Sequence, residues 1–154
     1  MDLRDRISAA TKDAMKARNA DRLSTLRLIG AAIKDREIAR RGDGHENAAL
    51  SEDDLMALLA RMVKQRQESA RAYEEGGRLE LAEKEQAEIA LIREFLPRQL
   101  DSAEVAAAVD RVIADLGATG VRDMGRVMAA LRERHAGQMD FGAVGAVVKS
   151  RLMG

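Results

Sequence analysis

Apolar residues recur along this chain at steps of three and four, the spacing that gathers side chains on one face of an α-helix. Leu3, Ile7, Ala10 and Ala14 form a first stripe. Leu23, Leu26, Ile29 and Ile33 form a second, with Asp21 as its expected N-cap. Charge then thickens over residues 34–41, and this helix is expected to end near Gly42. Residues 42–47 are small and polar without periodicity and read as an exposed loop, in which His45 is solvated. Ser51 with Asp54 three positions on predicts a capped start to a long third helix. Its stripe runs through Leu55, Leu59, Met62, Arg66, Ser69 and Tyr73. Polar residues interrupt that seam around Arg66, which is expected to be partly buried and paired. Gly76 and Gly77 break the helix, and Leu81, Glu85, Ile89, Ile92 and Leu96 restart the pattern in a fourth, which reaches the only proline, Pro97.

Pro97 donates no backbone hydrogen bond and biases Leu96 away from helical angles, so the chain is expected to divide there, into 1–97 and 98–154. Beyond it, Asp101 and Glu104 make a second capping box ahead of Val105, Val109, Val112 and Leu116, with Gly117 and Gly120 as the stop. Met124, Val127, Met128 and Leu131 predict one short helix, and Val144, Val147, Val148 and Leu152, after Asp140, another. No alternating strand pattern competes. The expected fold is all-α, a bundle of about four helices followed by a small three-helix domain. The methionines fall at helical spacing and read as core filler.

The 154 residues balance 26 basic against 26 acidic side chains, so any anionic partner must be met by a local patch. The absence of cysteine removes disulfides, thiolate nucleophiles and cysteine-bound zinc. Charges interleave from Asp2 to Arg6 and no 18-residue apolar stretch occurs, so a cytoplasmic protein, neither exported nor membrane-spanning, is expected.

Catalysis needs groups that attack, move protons or hold a cofactor. The histidines are His45 and His135, the latter at the end of an arginine-rich helix, where a cation meets the negative end of the dipole. Glu80, Glu83, Glu85 and Glu88 lack the histidine three residues on that a bundle metal site would pair with them, and with Arg78, Lys84 and Arg93 between them they read as a solvated, salt-bridged face. Neither phosphate-binding glycine pattern occurs. The sequence therefore carries no catalytic residue, no metal site and no cofactor site.

Six stretches together carry a family resemblance. They are Leu26-Arg27-Leu28-Ile29-Gly30-Ala31-Ala32-Ile33-Lys34, Val63-Lys64-Gln65-Arg66-Gln67-Glu68-Ser69, Gly77-Arg78-Leu79-Glu80-Leu81-Ala82-Glu83-Lys84-Glu85, Glu94-Phe95-Leu96-Pro97-Arg98-Gln99-Leu100, Asp123-Met124-Gly125-Arg126-Val127-Met128 and Gly137-Gln138-Met139-Asp140. In this order, over nearly the whole chain, they resemble the GatB/YqeY family. The resemblance implies a helical bundle joined to a three-helix tail, similar to the helical and tail portions of the B subunit of tRNA-dependent amidotransferase without its catalytic cradle. It implies binding of tRNA, or of aminoacyl-tRNA or amidotransferase machinery, rather than catalysis. Ala136 stands where the family's Lys-Gly segment has its lysine, which removes one candidate phosphate contact.

From Gly117 onward, Arg122, Arg126, Arg132, Arg134, Lys149 and Arg151 outnumber Asp123, Glu133 and Asp140, and these six cations are the candidate nucleic-acid contacts. With Tyr73, Phe95 and Phe141 as the aromatic residues there is no stacking platform, so RNA would be held by phosphates and shape. The segment 141–145 lacks residues that read base edges, which argues against sequence-specific DNA binding. Two other classes stand beside this one: a component of a carbon-nitrogen ligase with glutamine as amide donor, and a protein-interaction scaffold.

Overall fold

The first helix starts where Asp2 accepts a hydrogen bond from the Asp5 amide, and the computed structural model, which describes residues 1–153, carries it as α1, Leu3–Lys16. The other helices of the first unit are α2 (Ala20–Gly42), α3 (Glu52–Glu75) and α4 (Leu79–Arg93). Those of the second are α5 (Ser102–Leu116), α6 (Met124–Arg134) and α7 (Phe141–Met153), with a 3-10 turn, Val121–Asp123, leading into α6. No strand occurs among the described residues. The chain forms two compact units, Met1–Leu96 and the part beginning at Pro97.

Local chemistry accounts for most helix ends. The Ser51 hydroxyl accepts from the Asp54 amide, the Asp54 carboxylate accepts from the Ser51 amide, and Asp101 with Glu104 repeats the arrangement at α5. Gly117 stops α5 at φ +61°, a left-handed conformation open to glycine. The expected cap of α2 needs correction. Asn19 accepts from the Arg22 amide at 3.2 Å, and Asp21 lies inside the first turn, where its charge faces the positive end of the dipole.

Helix α4 also stops earlier than the pattern suggests. It ends at Arg93, and the amides of Glu94, Phe95 and Leu96 reach back three residues to Leu91, Ile92 and Arg93, a tightened turn that brings the chain to Pro97. Phe95, within that turn, is buried.

In the first unit, Leu3, Leu26, Ile29, Leu59, Ile89 and Ile92 are almost wholly withdrawn from solvent, and α3 and α4 pack along each other as a hairpin. Toward the end of α3 it is Ala70 that is buried and Ser69 that is exposed, because the 3.6-residue period carries the inner face from Val63 through Arg66 to Ala70. In the second unit Val109, Val112, Val127, Leu131 and Val148 form the core. The methionines divide. Met62, Met128 and Met139 are buried and Met56 and Met124 pack at core margins, whereas Met1, Met15 and Met153 are exposed.

The expected solvated face of α4 is also only partly right. The Glu88 carboxylate lies 2.9 Å from Arg66 Nε with both side chains about 15% exposed (15% and 14%), and Arg66 Nη1 donates to the Met62 carbonyl. Arg66 is thus partly buried and paired as the interrupted seam predicts, and Glu88 leaves the solvated set because α4 turns it toward α3.

Candidate nucleic-acid interface

The six candidate cations arise on two helices and a turn, which fixes how far they can act together. Arg122 and Arg126 are four residues apart and share a side of the segment that enters α6. Arg132 and Arg134 are two residues apart, as are Lys149 and Arg151 on α7, so within each pair the side chains point about 160° apart around the helix. The six do not form one continuous stripe.

Four of them are engaged. Arg126 Nη2 donates to Asp123 Oδ1 at 3.1 Å, Arg134 to Asp115 at 2.8 Å and Arg151 to Asp110 at 2.8 Å. The Arg132 guanidinium lies over the Phe141 ring, 5.8 Å from its centre. The acids that take Arg134 and Arg151 come from α5, upstream of the segment in which the local excess of charge was read. Over the whole second unit eight basic residues face seven acids, so the tail's basic excess is largely neutralised once α5 packs beside it.

Asp123 has a structural task as well. Its Oδ2 accepts from the amides of Thr119 and Gly120, which, ahead of the Arg126 guanidinium, hold its carboxyl below the usual range. Arg126 is thereby held beside a fixed anion at the start of α6.

Among the described residues Arg122 and Lys149 have no ion-pair or hydrogen-bond partner, and both are exposed. The structure adds a third such cation, Arg111 of α5. With Ala107, Ala108, Val112, Arg134 and His135 it lines a hollow of about 350 Å³. Arg111 lies upstream of Gly117, outside the run of tail charges that stands out along the sequence. The signal was the cation's place on the polar face of α5, one residue from the buried Val112.

His135 sits at the C-cap of α6, as expected, with its amide donating to the Leu131 carbonyl at 2.9 Å. Its ring, however, is half-buried with Nδ1 3.0 Å from Gln138 Oε1. Gln138 Nε2 reaches the Arg98 carbonyl, the Leu100 amide donates to the Gln138 carbonyl at 2.9 Å, and Gln99 Nε2 donates to Gly137 O at 2.6 Å. Two stretches that carry the family resemblance, 94–100 and 137–140, are therefore brought together through residues 98–100 and 137–138, as a clasp that closes the second unit. Arg98 adds a two-pronged pair with Glu104, at 2.9 and 2.8 Å.

No cluster of acids and histidines able to hold a metal ion is found among the described residues. No described helix is long and apolar enough to cross a membrane.

Among known families, residues 4–152 match the YqeY-like proteins. The chain belongs to the YqeY-like family. One relative is "Altered inheritance of mitochondria protein 41, mitochondrial" of Eremothecium gossypii, 31% identical over 144 residues, covering 92% of this chain and 75% of that protein. A protein of Schizosaccharomyces pombe described as uncharacterized is 33% identical over 85 residues, 55% of this YqeY-like chain and 64% of its own length. The Clavispora lusitaniae protein bearing the same name as the first is 36% identical over 85 residues, 55% of this chain and 46% of that one.

Proposed function

We propose that this YqeY-like chain is a non-catalytic accessory module that binds tRNA through phosphate contacts of its second unit, within machinery related to tRNA-dependent amidotransferase. The carrying observation is the state of the cations: Arg111, Arg122 and Lys149 are exposed and unpaired among the described residues. Arg126, Arg134 and Arg151 are in surface pairs that exchange an acid for a phosphate at little cost. The half-buried Phe141 lies beneath Arg132 and is not free to stack on a base, which favours recognition by charge and shape over readout of unpaired bases. The proposal includes a cytoplasmic place of work; the fungal relatives named as mitochondrial make an organelle the alternative, which fractionation of tagged protein decides.

The test is a titration of labelled tRNA across several salt concentrations. Replacing Arg111, Arg122 and Lys149 together with alanine should flatten the logarithmic salt slope by about 2 to 3, at roughly 0.7–0.9 per lost contact. Different tRNAs should lose affinity about equally. Absence of saturable binding by the wild-type chain at low salt, or an unchanged slope in the triple variant, removes the RNA reading and leaves a protein-interaction scaffold. Glutamine-dependent amidation by the purified chain alone would instead make it a carbon-nitrogen ligase.

A further inference from the structure

A second group of cations lies in the first unit, where sequence reading saw only a charged helix end and a loop. Arg36, Arg40 and Asp43 recur along one face at the end of α2, and Asp54, Ala57, Leu58 and Arg61 along one face of α3. These faces line a common cavity of about 340 Å³, within the size range of small-ligand pockets. The connecting loop adds His45 and the buried Leu50 to the lining.

The charges in this cavity are unequally used. Asp54 is engaged through Oδ2, which accepts from the Ser51 amide and from Arg40 Nη1 at 3.0 Å; the Ser51 hydroxyl first, then the Ser51 amide and Arg40, hold its carboxyl below the usual range. Arg36 of α2 and Arg61 of α3 are exposed and have no partner among the described residues. Asp43, at the C-cap of α2, is the acid that opposes them.

We propose that this cavity is a phosphate-binding site in which Arg36 and Arg61 grip the group from opposite walls and the His45 ring offers a further hydrogen bond. Two guanidinium forks match the terminal oxygens of a tetrahedral phosphate, on which they can close from two sides. The remaining wall, formed by Leu50, Leu58 and two alanines, is apolar without an aromatic ring, which suits a sugar or aliphatic body better than a nucleobase. The phosphate belongs either to a small phosphorylated molecule or to an RNA backbone. The site lies in the first unit and does not depend on the tail reading above.

The full chain, labelled with nitrogen-15, is titrated with inorganic phosphate at constant ionic strength, with chloride as control, while the Arg36 and Arg61 side-chain signals and the His45 ring are followed by NMR. Saturable shifts confined to these groups are expected. In Arg36→Gln/Arg61→Gln the affinity should fall at least about tenfold, since each charge-assisted contact carries on the order of a factor of ten. Arg36→Lys/Arg61→Lys, which keeps the charge and loses the fork, should fall between. The Arg111, Arg122 and Lys149 triple variant should titrate like wild type, which separates failure of this site from failure of the tail reading. Competition between phosphate and tRNA, with weaker tRNA binding by the glutamine variant, assigns the site to an RNA backbone; tRNA binding untouched by that variant assigns it to a small phosphorylated molecule. Absence of a saturable response in the wild-type groove, or a glutamine variant of native circular dichroism that titrates like wild type, overturns the proposal.

Discussion

Replacing Glu88 with glutamine tests the packing of the first unit at its most polar internal point. The carboxylate lies 2.9 Å from Arg66 Nε, and 14% of the Glu88 side chain and 15% of the Arg66 side chain remain exposed. Removing one partner of a fully buried ion pair costs ~3–5 kcal/mol, because the other charge is left desolvated. Here the guanidinium keeps its bond to the Met62 carbonyl and some water contact, so the cost falls below that range, at about 2–3 kcal/mol. For a unit of this size such a loss corresponds to roughly 10–20 °C in Tm. Urea unfolding of the full chain, followed by circular dichroism, measures it. The paired change Arg66→Met with Glu88→Leu should recover most of the loss, since apolar residues of similar volume replace buried pairs at little cost. A double-mutant cycle should give a coupling of about 1.5–3 kcal/mol. A Glu88→Gln variant within about 0.5 kcal/mol of wild type would show that the pair is screened like a surface salt bridge, and the burial argument would fall.

Acid should act on the second unit through Glu104, whose carboxyl is held down to about 2 by Arg98 first and the Asp101 amide second. A carboxyl lowered on folding favours the folded state above its ordinary value, and that contribution fades as pH falls from there through about 2. Carbon-13 titration of the side chain should place its midpoint near 2 and move it upward in Arg98→Gln; an ordinary midpoint in the wild type would contradict the pairing. Gln99→Ala removes the donor that reaches the carbonyls of Pro97 and Gly137 at 2.9 and 2.6 Å, and should cost the second unit about 1–2 kcal/mol by urea titration, against no measurable change if the clasp is incidental.

Features decided within a few residues could be read from the chain. The Ser51 and Asp101 capping boxes, the left-handed stop at Gly117 and the valine stripes of α5 and α7 depend on hydrogen bonds and periodicities that span one turn. Arg66 was legible for a related reason, since a long cation on an apolar seam requires a partner, though nothing local named Glu88, 22 residues away. The candidate sites were less legible. A basic tail counted along the sequence becomes nearly neutral in space, because α5 brings Asp110 to Arg151 and Asp115 to Arg134 across 41 and 19 residues. The packing of α2 against α3 has the opposite effect, setting Arg36 and Arg61, without partners among the described residues, in the lining of one groove. The energy of a charge depends on what lies within a few ångströms of it, and helix packing sets those neighbours. The sequence by itself thus determined the helices and their buried faces; which cations are spent on internal pairs, and which remain for a ligand, was decided only by the tertiary structure.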